Sequence, residues 1–501
     1  MDENTVFQAP RVSGVQPQSP PLPPAPTSQI PQGPTSIPPQ NPQGEPSVPP
    51  INPQDQVPQK PPGERRLPSF SVSTIIKIII GLAVISVILF LIFGVIIPLF
   101  AKKSPGKAEL TYWGLWEDKS VIQPVIDDFN KKYPDIKINY VKQNIKQYRK
   151  KLSARFENNT GPDVFLFHNT WVPMFSDILL PIPTDTISKK DFESSFYPVV
   201  QKDLIKNGAI YGIPTEIDTL ALYANTDIFQ AAGIQVPQTW EDFNNVSRIL
   251  TVTDETGRIK TAGAALGTFE NMAHAPDIIS MLFAQNGADI KNFSSKPKNA
   301  SEALIFYTSF ATGDQRVWDS SLDNSMLAFA KENVAMYFGF SWDYFTIKAI
   351  NPDIKIEVHP VPRINNRNMT TASYWNAGVS AKSKYQKEAL VFLKFLTSKE
   401  SQEKLYSIES KTRFFGEPYA RKDLAQKLKD SIAYPFVSQG NNAVSSFFAA
   451  DTYDEGLNSQ MNAYLKNAIN SMISENSTSS ETAVSTLSQG VSQVLSQYGL
   501  Q

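Results

Sequence analysis

The chain has 501 residues, 19% of them charged and 41% hydrophobic, with a formal net charge of −1. Such an even mixture of signs offers no broad basic surface for phosphate backbones, and nucleic acid is not expected as the main partner. Cysteine is absent, which excludes disulfides, thiolate metal sites, a Cys nucleophile and a lipid-modified cysteine anchor; the three histidines, His168, His274 and His359, sit at no metal-ligand spacing, and neither metal nor cofactor is expected.

Residues 1–70 hold 20 of the 38 prolines, set among Gln, Ser, Asn and Gly. Such a stretch has too little apolar mass to offset chain entropy, and it reads as a disordered tail or as a docking site for a proline-binding domain. A run without charge follows from Ile78 to Phe100. At about 1.5 Å per residue it gives a helix of roughly 34 Å, and a transmembrane helix is expected over 75–100. The long preceding tail and the absence of a good cleavage site after the run favour an uncleaved anchor over a leader. Arg65, Arg66 and Lys77 before it balance Lys102, Lys103 and Lys107 after it, so charge does not orient the helix. Residues 101–108 form a short linker.

From 109 to 501 the pattern is that of a folded domain. LTYWGLW (110–116) reads as a strand, and 121–134 as a helix with Val121, Val125 and Phe129 on one face and Pro134 at its end. IKINYV (136–141) is a second strand, 145–158 a helix and PDVFLF (162–167) a buried strand. Strand and helix alternating in this way predict an α/β sheet with parallel neighbours. Further on, 387–408 reads as one long amphipathic helix, and 459–474 and 480–498 as two more.

Several motifs then stand in order: Thr160-Gly161-Pro162-Asp163-Val164 entering a strand, Tyr211-Gly212-Ile213-Pro214, Leu222-Tyr223-Ala224-Asn225-Thr226-Asp227, Ala231-Ala232-Gly233-Ile234, Pro237-Gln238-Thr239-Trp240-Glu241-Asp242-Phe243, Asn333-Val334-Ala335-Met336 and Ala381-Lys382-Ser383-Lys384. Together they resemble the bacterial extracellular solute-binding proteins that include maltose-binding protein. The resemblance implies a type II periplasmic-binding-protein fold of two α/β lobes, about 109–217 plus 375–430 and about 221–372 plus 435–501. It implies crossings of the chain near 217–222, near 373–380 and around 425–440. It also implies an extracellular binding domain with the tail in the cytoplasm. The Pro-rich tail and apparent anchor depart from the family's short leader or lipidated cysteine. The linker leaves a tether of only about 25 Å.

A sugar site needs flat aromatic rings against the C–H face and fixed carboxylates or amides along the hydroxyl rim. Trp116 and Glu117 follow the first strand; of Trp113 and Trp116, one packs and the other faces the cleft, with Trp116 preferred. His168, Asn169 and Trp171 close the 162–167 strand, where ligands of open α/β sheets sit. Asp218, with Glu216 less favoured, lies at the first expected hinge, and Trp375 and Asn376 at the second. Trp342 follows the Ala-Met strand at a position similar to a cleft tryptophan of the family. Asn271 and His274 precede a helix at 276–285. Arg413 is a weaker candidate, while Trp240 and Trp318 are assigned to packing. The expected function is capture of a small solute, mono- or oligosaccharide, by lobe closure and its delivery to an ABC transporter permease. A sensing receptor on the same domain and a surface carbohydrate-active enzyme are the rival readings; no catalytic motif favours the enzyme.

Overall fold

The computed structural model describes residues 72–92, 106–314 and 316–500. The described residues fall into two units, 72–92 in one and 106–500 in the other. In the first unit a helix, α1 (Val72–Phe90), is 19 residues long, and side chains such as Ile79, Leu82, Ile85 and Phe90 are exposed. Its length is about 28 Å, just short of the roughly 30 Å hydrocarbon core of a bilayer. It begins before the uncharged run and includes Lys77. Among the described residues, no helix is long and apolar enough to cross a membrane. The expected 75–100 span is therefore seen only in part, because residues 93–100 lie outside the described residues, as do the Pro-rich tail and linker residues 101–105.

The second unit opens with β1 (Ala108–Gly114), α2 (Lys119–Lys132), β2 (Ile136–Lys142), α3 (Tyr148–Glu157) and β3 (Val164–His168). In α2 the buried residues Ile122, Val125, Ile126 and Phe129 fall on one face at helical spacing. β1 runs parallel to both β2 and β3. Next come β4 (Ile213–Pro214), β5 (Asp218–Thr219) and β6 (Ala221–Asn225), then α4 (Ala275–Asn286), β7 (Met336–Gly339), α5 (Ser341–Ile350) and β8 (Ile356–His359). The chain continues through β9 (Thr370–Ser373), β10 (Trp375–Val379), α6 (Gln386–Leu396), α7 (Lys399–Glu409), β11 (Ala443–Val444), α8 (Leu457–Ile473) and α9 (Ser480–Gln497).

Two lobes result, each with its own core. The first is built on the sheet β2-β1-β3-β10-β4 and buries Leu110, Phe129, Phe165 and Leu393. The second is built on β7-β6-β8, antiparallel throughout, and buries Tyr223, Phe243, Met336, Leu465 and Leu487. Each such side chain fully removed from water contributes about 1.5–3 kcal/mol. A third small sheet, β11-β9-β5, carries the chain between them: Ile217 belongs to the first core and Leu220 to the second. The last passage is interleaved over 433–448, where Ala433, Val437 and Ala443 pack in the first core and Phe436 and Phe448 in the second.

The single helix expected over 387–408 is two helices. Thr397 turns its hydroxyl back to the Leu393 carbonyl at 2.8 Å. Ser398 then caps α7, accepting from the Ser401 amide at 3.3 Å. A polar Thr-Ser pair that bonds its own backbone competes with helix continuation.

One glycine illustrates how close the second lobe packs. A β-carbon at Gly263 would lie 1.7 Å from the Ser247 carbonyl oxygen, which only a backbone shift relieves. Gly263→Ala is expected to destabilise the protein by about 1–3 kcal/mol in urea unfolding while leaving solute affinity unchanged. An unaltered unfolding midpoint would mean that this backbone contact yields freely.

Candidate functional site

Between the lobes lies a cavity of about 480 Å³, lined from the first lobe by Trp116, His168, Glu216, Trp375, Arg413 and Glu417, from the hinge by Asp218 and Ser373, and from the second lobe by Met326, Trp342, Asp343, Phe345, Asp451 and Tyr453. Its floor is set by sheet register. β10 pairs with β3 so that Trp375 stands opposite His168, and the two rings meet edge to face at 5.3 Å. Trp171 packs against Trp375 at 5.1 Å and Trp116 at 5.6 Å. Trp375 is thus almost enclosed, whereas Trp116 is 40% exposed. Trp116 projects just beyond β1, whose last residue, Gly114, leaves room for the Tyr140 ring that a β-carbon would meet at 2.5 Å.

His168 is fully buried, and burial pulls its imidazole down to about 3, so the ring is neutral. Its nitrogens bond Thr170 Oγ1 at 2.8 Å and Ser373 Oγ at 3.0 Å. Glu216 Oε1 accepts from the Trp375 amide at 2.7 Å. Asp218 Oδ2 accepts from the Ser341 amide at 2.8 Å, while its Oδ1 has no hydrogen-bond partner among the described residues. Burial, with the Glu417 charge adding, pushes both carboxyls well above the usual carboxylate range. The open Asp218 oxygen is a polar group that a ligand hydroxyl would satisfy.

On the opposite wall Trp342 stacks on Phe340 at 4.5 Å with ring planes 15° apart. Behind it Asp343 receives three bonds through Oδ2, from Tyr337 Oη at 2.9 Å, the Phe340 amide at 3.1 Å and His274 Nε2 at 2.7 Å. Gly339 makes this arrangement possible, since a β-carbon there would sit 2.4 Å from that same oxygen. Burial alone would lower the His274 imidazole, but the charge and hydrogen bond of Asp343, with Asp451 and Asp277 beyond, lift it to about 10. A protonated histidine therefore braces the Trp342 wall.

Of the residues expected at the site, Trp116, His168, Asp218, Trp342 and Trp375 line the cavity. Glu117 lines a smaller chamber beside it and pairs with Arg413 at 3.1 Å. The others stand behind the wall. Trp171 is fully buried under Trp375. Asn169 bonds Asp203 Oδ2 at 3.0 Å and lines a separate pocket with Lys202 and Lys206. Asn376 faces the Phe167 carbonyl at 3.3 Å. Asn271 ties its loop to the Asp319 and Leu322 carbonyls at 2.9 and 3.1 Å, and His274 acts through Asp343. Trp240 and Trp318 both donate into buried partners, Gln285 at 2.9 Å and Thr268 at 3.0 Å. Sequence reasoning passed over Asp343, Phe345, Glu417, Asp451 and Tyr453. The Glu409, Arg413, Glu417 spacing of four was a visible ion-pair signal for part of that set. Among the described residues, no group of three or more His, Asp or Glu side chains is arranged to hold a metal ion.

Because the folded His274 titrates near 10 against 6.5 for a free imidazole, its charge stabilises the fold fully below about pH 6.5 and less as pH rises towards 10. The stability margin of the wild type over His274→Gln is expected to shrink across that window in denaturant unfolding. A margin that stays flat would mean that the buried ring is neutral.

The model for bacterial extracellular solute-binding proteins matches residues 113–403, more than half of the chain. The chain is 25% identical over 269 residues to the multiple sugar-binding protein of Streptococcus mutans, covering 49% of this chain and 62% of that one. It is 26% identical over 370 residues to the arabinooligosaccharide-binding protein of Bacillus subtilis, covering 66% and 79%. Among solved structures, the GacH receptor of Streptomyces glaucescens, determined unliganded and with acarbose, superposes with a TM-score of 0.61 at 20% identity, over 78% of this chain and 99% of that one. The chain belongs to the bacterial extracellular solute-binding proteins.

Proposed function

We propose that this protein is a surface receptor that captures a sugar or short oligosaccharide between its lobes and presents it to an ABC transporter permease. The observation that carries this reading is the composition of the cleft walls. Trp116 from one lobe and Trp342 from the other offer indole faces, and Asp218, with Glu216 beside it, offers a buried open oxygen between them. Flat apolar faces flanking fixed acceptors match the two surfaces of a sugar ring. The volume of about 480 Å³ falls within the roughly 300–1,000 Å³ typical of small-molecule sites. The names of the relatives, multiple sugar-binding and arabinooligosaccharide-binding, support the same ligand class.

Capture is a shift of equilibrium. A ligand touching both walls stabilises the closed arrangement by its differential affinity for it, and a permease that recognises that arrangement receives only loaded receptors. No bond is made or broken. The receptor is held at the outer face of the cell membrane by the apolar segment 76–100, with the Pro-rich tail inside. The support for that anchoring is the uncharged run from Ile78 to Phe100 and the exposed apolar surface of α1.

Thermal unfolding of the full chain against neutral mono- and oligosaccharides tests the reading, since a ligand bound only by the folded form raises the midpoint. One sugar class is expected to raise it. Trp342→Ala and Asp218→Asn should each weaken that sugar about ten- to a hundredfold, measured by titration calorimetry. No shift with any saccharide at millimolar concentration would sink the carbohydrate reading. An undiminished affinity in both variants would move the site elsewhere.

A further inference from the structure

We propose that the cleft carries a side chamber for a positively charged nitrogen, so that the captured solute bears a protonated amine, as an amino sugar does. The substrate class rests on the carbohydrate reading above; the chamber does not. It is a space of about 70 Å³ within the first lobe. Trp116, Glu216 and Glu417 line both it and the main cavity, so a group on a cleft-bound ligand can reach it.

The chemistry of its wall is one-sided. Glu117, Glu216, Glu409 and Glu417 all line the chamber. The one guanidinium that answers them, Arg413, stands 3.1 Å from Glu117, 3.0 Å from Glu409 and 3.2 Å from Glu417. Among the described residues one guanidinium is shared by three carboxyls, and Glu216 adds a fourth without an ion pair. The surplus is also visible as unmet hydrogen bonding. Gln402, 6% exposed, lines the chamber with an Oε1 that has no partner among the described residues, and Glu409, 1% exposed, meets Glu117 carboxyl to carboxyl beside it. Buried acceptors left unpaired are costly. A hydroxyl offers one hydrogen, whereas an ammonium offers three together with the missing charge. Tyr406 and Trp116 add ring surfaces that attract a cation. Burial, then the Glu417 and Glu117 charges, push the Glu409 carboxyl up to about 8, so near neutral pH it holds a proton that a cation in the chamber would displace.

The test uses the full chain in mild detergent and two kinds of probe. In calorimetry, glucosamine oligosaccharides are compared with their N-acetylated and hydroxyl counterparts. In thermal unfolding, methylammonium chloride is compared with sodium chloride at equal ionic strength, which makes no assumption about the sugar skeleton. The amine-bearing saccharide is expected to bind about tenfold tighter than either counterpart, and methylammonium to raise the midpoint above sodium. Both effects should fall away in Glu409→Gln and in Gln402→Leu; the second variant removes an acceptor without altering any charge, and unfolding without additives checks that both fold. Equal affinities for the three saccharides, or methylammonium indistinguishable from sodium, would overturn the chamber and leave the carbohydrate reading standing. A methylammonium effect lost in both variants, with no saccharide bound at all, would uphold the chamber and remove the carbohydrate reading.

Discussion

The chain passes between its lobes through one small sheet, and that sheet is buried on the way. A buried hinge has no water to satisfy its backbone, so every polar group must find a partner inside. The strands meet the demand with threonines. Thr219 donates to the Phe436 carbonyl at 2.7 Å, Thr370 to Leu220 at 2.7 Å and Thr371 to Asp277 at 2.9 Å. Gln439 spans the same place, giving its amide hydrogen to Leu220 at 3.2 Å and receiving the Val361 amide at 2.9 Å. Strands held so firmly also hold the side chains at their ends. Glu216 and Asp218 lie at one hinge strand, Ser373 and Trp375 at the next, and all of them face the cavity. The floor of the cleft runs from the first-lobe sheet onto the crossing strands, so a ligand lying on it would touch the segment that joins the lobes.

The same crowding explains the electrostatics. Carboxylates drawn into the floor lose water and lie close to one another, and both effects favour the neutral acid. The protein answers differently on the two sides. In the second lobe, His274 supplies a full charge to Asp343 at 2.7 Å, with Asp451 at 3.4 Å beyond it. In the first lobe, one arginine serves Glu117, Glu409 and Glu417. Breaking the His274–Asp343 pair would cost stability, because it strands a buried charge.

Most of the architecture was legible in the sequence, and for identifiable reasons. The opening strands and helices are long, periodic and local, so Val125 and Phe129 declared the buried face of α2, and PDVFLF declared a strand covered on both sides. The motif order pointed to the family because each motif is a turn or a strand end that the fold reuses. The helix break at Thr397-Ser398 was hidden because an uninterrupted apolar period masks a cap residue. Residues that line the cavity were legible where the residue type was distinctive and sat at a strand end, as with Trp116, Trp342 and Trp375. Asp451 and Tyr453 were not, since they reach the cavity from a loop more than a hundred residues beyond the wall they complete. Nothing local in ADTY marks it as part of a cleft. Asn169, Asn271 and Asn376 looked like ligands because buried amides and ligand amides are the same residue type; only their bonded partners tell them apart.

The tryptophans show how that distinction works when the residue type is constant. Trp375 is met edge to face by Trp116, Trp171 and His168 and is 6% exposed. Its ring is already covered, and it serves as the rigid base against which other rings are oriented. Trp116 is held on that base by one edge contact and keeps the rest of its surface open. Trp342 is stacked on Phe340, which fixes its plane and leaves the opposite face for the cavity. Each exposed indole is thus backed by a buried aromatic that limits its rotation. A platform positioned before the ligand arrives loses little conformational freedom on binding. Because one platform belongs to each lobe, a ring held between them would gain from both walls at once, and the aromatic packing that fixes the walls is what the proposed coupling of capture to lobe closure requires.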